Sequence, residues 1–463
     1  MRVADRLDRL PLAGFHYRLL FLSGLGWLFD SMDGGLMSFV LARLKTEWHL
    51  TADEIAAASS AGLAGMFLGG AVAGSLADRF GRKIVFQWTL LLFSIATGLC
   101  ALAQGLTSLL LLRFLVGLGL GGELPVAAAL VSEFAPARHR GRLVVLLESF
   151  WAFGWAAAAI IAEFLARHAE TAGHEFPWRI AFLVGALPAL YVFVLRRSLP
   201  ESPRYLSSRG RPEQAEAILR SIEMESGVSP DGATASVAIP ASTPTRTSGP
   251  AAAPAPRRAR LRDLFGPGVG RRTATLWILW FTMAYSYYGI FTWLPTLIAG
   301  KGFPLVQSFQ FTLVITLAQI PGYFTAAYLV EKLGRKATLA PFMLLCAASS
   351  FLFGGSGSPR ELILWGCLVS FFNLGAWGVT YGYTPELYPT RLRGTGTGSA
   401  AAFGRIGGVL APLVVGRLMG TWGGGFSAVF LMFAAILAAG ALGVVVLGEE
   451  TSGRTLEEIS GRL

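Results

Sequence analysis

The chain has 463 residues, 53% of them hydrophobic and only 14% charged, whereas soluble domains carry about a quarter charged residues. That balance excludes an ordinary soluble domain, and long apolar runs recur along the whole length, as in a protein that crosses a membrane many times. A net charge of +11 could suit nucleic acid, but the placement of the basic residues points to membrane topology instead.

The first sixteen residues are charged and no small-residue cleavage site follows, so no cleavable signal is expected. The apolar runs predict twelve spans, near 18–41, 55–77, 84–103, 107–131, 143–166, 178–195, 273–298, 306–330, 337–355, 361–384, 395–418 and 426–447. With the N-terminus inside, only six of the 39 basic residues fall in outer loops: Arg43, Lys45, Arg167, Arg179, Lys301 and Arg360. Three more, Arg113, Arg405 and Arg417, lie inside spans, and the remainder face the cytoplasm. Both termini are therefore expected to be cytoplasmic, with no nucleic-acid partner. The three cysteines, Cys100, Cys346 and Cys367, sit in apolar segments and imply neither a disulfide framework nor a metal site. No cofactor is expected.

The chain repeats itself. Residues 74–83 read GSLADRFGRK and residues 327–336 read AYLVEKLGRK; residues 133–141 read EFAPARHRG and residues 386–394 read ELYPTRLRG. Both pairs are offset by 253 residues. The fold class read from this pattern is an all-α membrane protein of two six-helix parallel repeats. The expected domains are an N-terminal bundle over 1–197, a cytoplasmic linker over 198–271 and a C-terminal bundle with its tail over 272–463. The linker stretch 228–256 is rich in Pro, Ala, Ser and Thr and is expected to be disordered, while 211–226 suits a short charged helix.

Six plus six spans around a long inner linker resemble the major facilitator superfamily, and DRFGRK resembles its signature loop. PESPR at 200–204 and GRTLEEI at 453–459 resemble its sugar-porter and organic-ion branches. Asp78, Arg82, Glu133, Arg142, Glu201 and Arg204 cluster at the inner ends of the first half. Glu331, Arg335, Glu386, Arg393, Glu450 and Arg454 do so in the second. They read either as solvated loop charge or as gates, and the resemblance implies that such clusters latch the outward-facing state shut from inside.

Charges within the bilayer are costly, roughly 2.5–3.5 kcal/mol each on insertion scales, so each needs a reason. Asp33 and Arg113 lie at matching depth in the first and fourth spans and can pair, statically or as a proton-switched couple. Asp30, one turn deeper, has no evident basic partner and is a candidate proton site, as are Glu123 and Glu148, which lie at similar depth in the fourth and fifth spans. Which acid carries the proton is left open. Arg405, at mid-depth in the eleventh span, reads either as an arginine held by a neighbouring acid or as a clamp for a substrate carboxylate. Tyr285 and Tyr288, Trp151, Trp377, Asn373 and Gln319 stand at mid-depth positions, where aromatic and amide groups would suit a flat aromatic acid.

GWLFDSMDGGLMSFVLARLKTEW, RFLVGLGLGGELPVAAALVSE and RGRLVVLLESFWAFGW closely resemble the bacterial niacin (nicotinate) transporters, in the branch that also holds synaptic-vesicle glycoproteins and organic-ion transporters. The fifth span resembles that of sugar porters, with Glu148 where they carry a sugar-binding glutamine. The resemblance implies a monomeric, multi-pass secondary transporter of the inner membrane. It would import nicotinate or a related small aromatic carboxylate with protons, by rocker-switch alternating access. A sugar:proton symporter, another organic-anion transporter and a non-transporting sensor or scaffold are the alternatives. An enzyme is not expected: there is no catalytic triad, no metal cluster and no Walker A sequence to bind ATP.

Overall fold

The computed structural model describes residues 6–7, 10–136, 140–228, 261–389 and 392–452. The expected disordered stretch 228–256 lies outside the described residues except for Val228, and so does Arg454. The side chains of Asp78, Arg142 and Arg204 are likewise outside the described set.

The described residues are helical and contain no strand. Helices one to five are Gly14–Glu47, Ala52–Phe80, Arg82–Cys100, Leu106–Phe134 and Arg140–Thr171. Helix six runs in two pieces, Trp178–Gly185 and Pro188–Ser198. Helix seven is Gly270–Ala299, and helix eight is again broken, into Leu305–Leu317 and Gln319–Leu333. Helices nine to twelve are Arg335–Gly354, Pro359–Glu386, Arg393–Met419 and Gly425–Leu447. Each break lies just before a proline, Pro188 or Pro321, which lacks an N–H and crowds the carbonyl four residues back.

Local sequence sets several ends. Thr51 and Glu54 cap helix two reciprocally, as Ser358 and Glu361 cap helix ten. Gly81 and Gly334 turn the chain between helices two and three and between eight and nine with φ of 105° and 102°, a region only glycine enters freely. By length and apolarity, ten of the described helices could cross a membrane by themselves. Helices one and seven fall short, because one carries Asp30 and Asp33 and the other Tyr285, Tyr287, Tyr288 and several threonines. The least apolar helices are thus the ones that build the interior.

Helix two packs on helix four almost backbone to backbone. A Cβ on Gly117 would strike the Gly62 carbonyl, and one on Gly121 the Met66 carbonyl. Small residues one turn apart allow such an approach where helices cannot gain by leaving water.

The halves meet through helices two with eleven, five with eight and one with seven. On the outer side they interlock. Ser60 Oγ donates to the Val409 carbonyl at 2.9 Å. Phe309 of helix eight inserts between Phe39 and Phe176, with ring centroids 4.9 and 5.2 Å away. On the inner side helices two and eleven stand apart: a Cβ added at Gly74, Gly394 or Gly398 would meet no atom within 4 Å. The conformation is inward-open. Beneath it, helix Pro212–Glu225, where a charged helix was expected, is tied to the N-terminus by Arg6 with Glu216 and Glu223 at 2.7 and 2.6 Å.

The outer seal depends on Gly416, where an added Cβ would lie 2.6 Å from Ala56 Cβ and 2.8 Å from the Ala52 carbonyl oxygen. Gly416→Val should keep helices two and eleven from closing outside. A cysteine replacing Ser60 should then react several-fold faster with an impermeant maleimide added outside. Unchanged labelling would show that the seam tolerates the extra bulk.

Candidate functional site

Between the halves lies an aromatic cavity of about 400 Å³. Its walls are Trp27 from helix one, Glu148 and Trp151 from helix five, Tyr287 and Tyr288 from helix seven, Tyr323 from helix eight, and Leu374, Trp377 and Tyr381 from helix ten. Trp151 Nε1 donates to the Tyr287 hydroxyl at 2.6 Å, bonding one half to the other. Trp27 lies 4.6 Å from Trp151, and Trp377 stacks on Tyr381 at 5.5 Å. Flat rings on facing walls favour a flat guest, because π faces pair best offset or edge-on. Glu148 is the only ionisable acid in this lining.

Trp151 and Tyr288 also wall a second cavity, of about 530 Å³, lined further by Asp30, Met66, Arg113, Trp155 and Thr292 among others. Asp30 is buried and neither carboxylate oxygen has a hydrogen-bond partner. Asp33, one turn outward, is fully engaged. Arg113 grips it with both terminal nitrogens, at 2.8 and 3.3 Å, and the Thr97 hydroxyl donates to it at 2.5 Å. The pair suggested by depth alone is therefore formed. Glu123 accepts from Thr89 at 2.9 Å, while its other oxygen is buried without a partner.

Arg405 has no acid partner among the described residues. It reaches out of helix eleven into the other half and donates to the Met66 carbonyl at 3.0 Å and the Gly121 carbonyl at 3.4 Å. Helix two's tight fit on helix four brings these two carbonyls together, and Gly70 leaves the space, since a Cβ there would lie 2.8 Å from the guanidinium carbon. Arg405 lines neither cavity.

Of the residues expected at the substrate site, Trp151, Glu148, Trp377 and Tyr288 come together in the first cavity, and Asp30 lines the second. Tyr285 does not join them: its hydroxyl lies 3.3 Å from Met432 Sδ and its ring packs on Phe433, both on helix twelve. Asn373 is buried behind the wall, donating to Ser286 at 3.0 Å, and Gln319 is buried at the break in helix eight. Neither amide lines a cavity. Trp27 and Tyr287 were missed. Trp27 stands three residues before Asp30, a spacing that shares a helix face. Tyr287 was passed over because the i,i+3 pair of Tyr285 with Tyr288 suggested a different face of helix seven.

The cytoplasmic charges pair within each half. Arg82 bonds Glu133 at 2.9 Å, and Arg335 bonds Glu386 at 2.8 Å, 253 residues later. Glu201 accepts from the N–H groups of Arg82 and Lys83, and Glu450 from those of Arg335 and Ala337. The two carboxyls nevertheless differ. Burial pushes Glu201 up from the ordinary value; burial acts on Glu450 too, yet four backbone N–H groups hold it below the usual range. Arg393 donates to the Pro385 carbonyl, and Glu331 is exposed with no partner among the described residues. Arg272, buried and paired with Glu449 at 3.0 Å, was not singled out from sequence. Among the described residues no cluster could hold a metal.

A helical bundle whose interior cavity lies between two repeated halves, closed outside and open inside, is that of a secondary transporter of the major facilitator kind, a multi-pass protein of the cell membrane rather than an enzyme. The chain belongs to the sugar (and other) transporter family, whose description matches residues 31–462. It is 48% identical to the niacin transporter NiaP of Acinetobacter baylyi, over 99% of this chain and all of that one. It is 29% identical to the synaptic vesicle 2-related protein of Xenopus laevis, over 99% of this chain and 83% of that one. In three dimensions it resembles the inward-open xylose transporter XylE of E. coli with a TM-score of 0.76 at 20% identity, over 96% of this chain and 99% of that one.

Removing one partner of a buried pair leaves the other charge uncompensated, at about 3–5 kcal/mol. Asp33→Asn should therefore lower thermal stability in detergent markedly by stranding Arg113. Adding Arg113→Met should restore much of the loss. A melting temperature unchanged in the single variant would mean that Arg113 finds another partner.

Proposed function

We propose that this protein imports nicotinate, or a closely related small aromatic carboxylate, together with a proton, by rocking its two halves about the central cavity. The observation that carries this reading is the box of Trp27, Trp151, Tyr287, Tyr288, Trp377 and Tyr381, with Arg405, which has no acid partner among the described residues, crossing between the halves at the same depth. A pyridine ring fits between aromatic faces, and a guanidinium matches a carboxylate with two parallel hydrogen bonds. The 48% identity to a protein named as a niacin transporter supports the same substrate. A sugar is less well served. Its many hydroxyls need hydrogen-bonding groups, and neither Asn373 nor Gln319 lines the cavity.

In the inward-open state Arg405 rests on the Met66 and Gly121 carbonyls. When the halves rock the other way, the guanidinium leaves those carbonyls and takes the substrate carboxylate. Asp30 is the coupling acid in this reading. A buried carboxylate with no partner is costly as an anion, so it loads a proton before the cavity closes. Proton and anion then enter together, and the closed cavity gains no net charge. Asp33 stays held by Arg113 and Thr97. The cytoplasmic clusters hold each half rigid as it rocks, and the transporter works as a monomer.

Uptake of labelled nicotinate into proteoliposomes tests this. Arg405→Ala should abolish uptake, with a binding loss of about 2–5 kcal/mol, and Arg405→Lys should rescue poorly because the planar fork is gone. Asp30→Asn should keep nicotinate counterflow while losing accumulation driven by a pH gradient. Tight nicotinate binding by Arg405→Ala would sink the clamp. Full pH-driven accumulation by Asp30→Asn would move the proton to Glu123 or Glu148.

A further inference from the structure

A groove of about 1700 Å³ opens on the cytoplasmic side, away from the transport path, below the inner ends of helices two, three and six and above the linker helices. Its charged lining is Arg79, Lys83, Arg196, Arg209, Arg211 and one acid, Glu201. One carboxylate cannot balance five cations, and one oxygen of Glu201 is held by the backbone N–H groups of Arg82, Lys83 and Ser202. Arg79, Arg196 and Arg211 make no ion pair with any described residue and stand exposed. Such concentrated positive charge calls for an anion.

The neighbouring surface says which kind. Phe80 and Ile84 belong to the groove, and from Ile84 a stripe of exposed apolar side chains climbs helix three through Trp88, Leu91 and Ile95. On helix six, exposed Leu190 and Phe193 descend to Arg196. Phe80 and Trp88 lie 5.5 Å apart between ring centroids, an aromatic pair where chain and headgroup would meet. The cations thus sit directly below a lipid-facing apolar strip, so a ligand here is both anionic and anchored in the bilayer. A soluble anion would use only the lower part.

We propose that this groove binds the headgroup of an anionic phospholipid, with the phosphate among Arg79, Arg196 and Arg211 and the acyl chains against Ile84, Trp88 and Phe193. The bound lipid would fasten the linker helix Pro212–Glu225 and the Arg196 end of helix six to the helix two–three turn. The proposal is independent of which substrate is carried.

The test is native mass spectrometry of the full chain in detergent with equal amounts of phosphatidylglycerol and phosphatidylcholine. Wild type should retain phosphatidylglycerol preferentially. Arg79→Gln/Arg196→Gln/Arg211→Gln should lose that preference, at roughly fivefold per residue from about 1 kcal/mol for each basic group near a membrane surface. Arg220→Gln, on the linker helix outside the groove, should keep it. If the triple variant aggregates, the single variants Arg196→Gln and Arg211→Gln should each show a fivefold fall. No preference in wild type, or full preference in the variants, would overturn the proposal. So would displacement of the lipid by inorganic phosphate at matching concentration, which would make this a site for soluble anions.

Discussion

One guanidinium crosses between the halves at mid-depth. Arg405 leaves helix eleven and ends on two carbonyls of the opposite half, Met66 on helix two and Gly121 on helix four. It can do so only because those helices approach with glycine against backbone, and because Gly70 leaves the opening. A half-buried charge without a carboxylate needs such acceptors. Carbonyls give it enough to be tolerated and less than a carboxylate would. The contact is therefore one that the proposed anion could replace.

The acids around it divide by how well they are held. Asp33 has a bidentate arginine and a hydroxyl. Asp30, one helical turn away, has none of this. Two carboxylates on one helix thus receive opposite environments from the helices that pack there. The same separation of roles appears at the cytoplasmic face, where Arg82–Glu133 and Arg335–Glu386 lie within their own halves. Both pairs are intact with the inner side open, so inward opening does not break them.

Much of this could be read from the chain. The 253-residue repeat, the basic residues of the inner loops and the glycines at 81 and 334 follow from local rules: charge avoids translocation, and a tight turn at positive φ needs glycine. The span count, the helix at 212–225 and the two prolines that could break helices six and eight are local as well. So was the Asp33–Arg113 pair, since depth along a helix is countable and two buried opposite charges at one depth have strong reason to meet.

What the sequence could not decide is which way each helix faces. Helix seven offers tyrosines at 285, 287 and 288; its rotation against helices eleven and twelve sends Tyr285 to Met432 and leaves Tyr287 and Tyr288 on the cavity. Asn373 and Gln319 stand at the right depth, yet Asn373 turns to Ser286 and neither amide lines the cavity. Arg405 was legible as a cation at mid-depth in a span, but its resting place on two carbonyls required helices two and four to be nearly in backbone contact. Composition and periodicity report depth and amphipathicity, which are properties of one segment. Azimuth is set by packing between segments far apart in the chain, and only the tertiary structure fixes it.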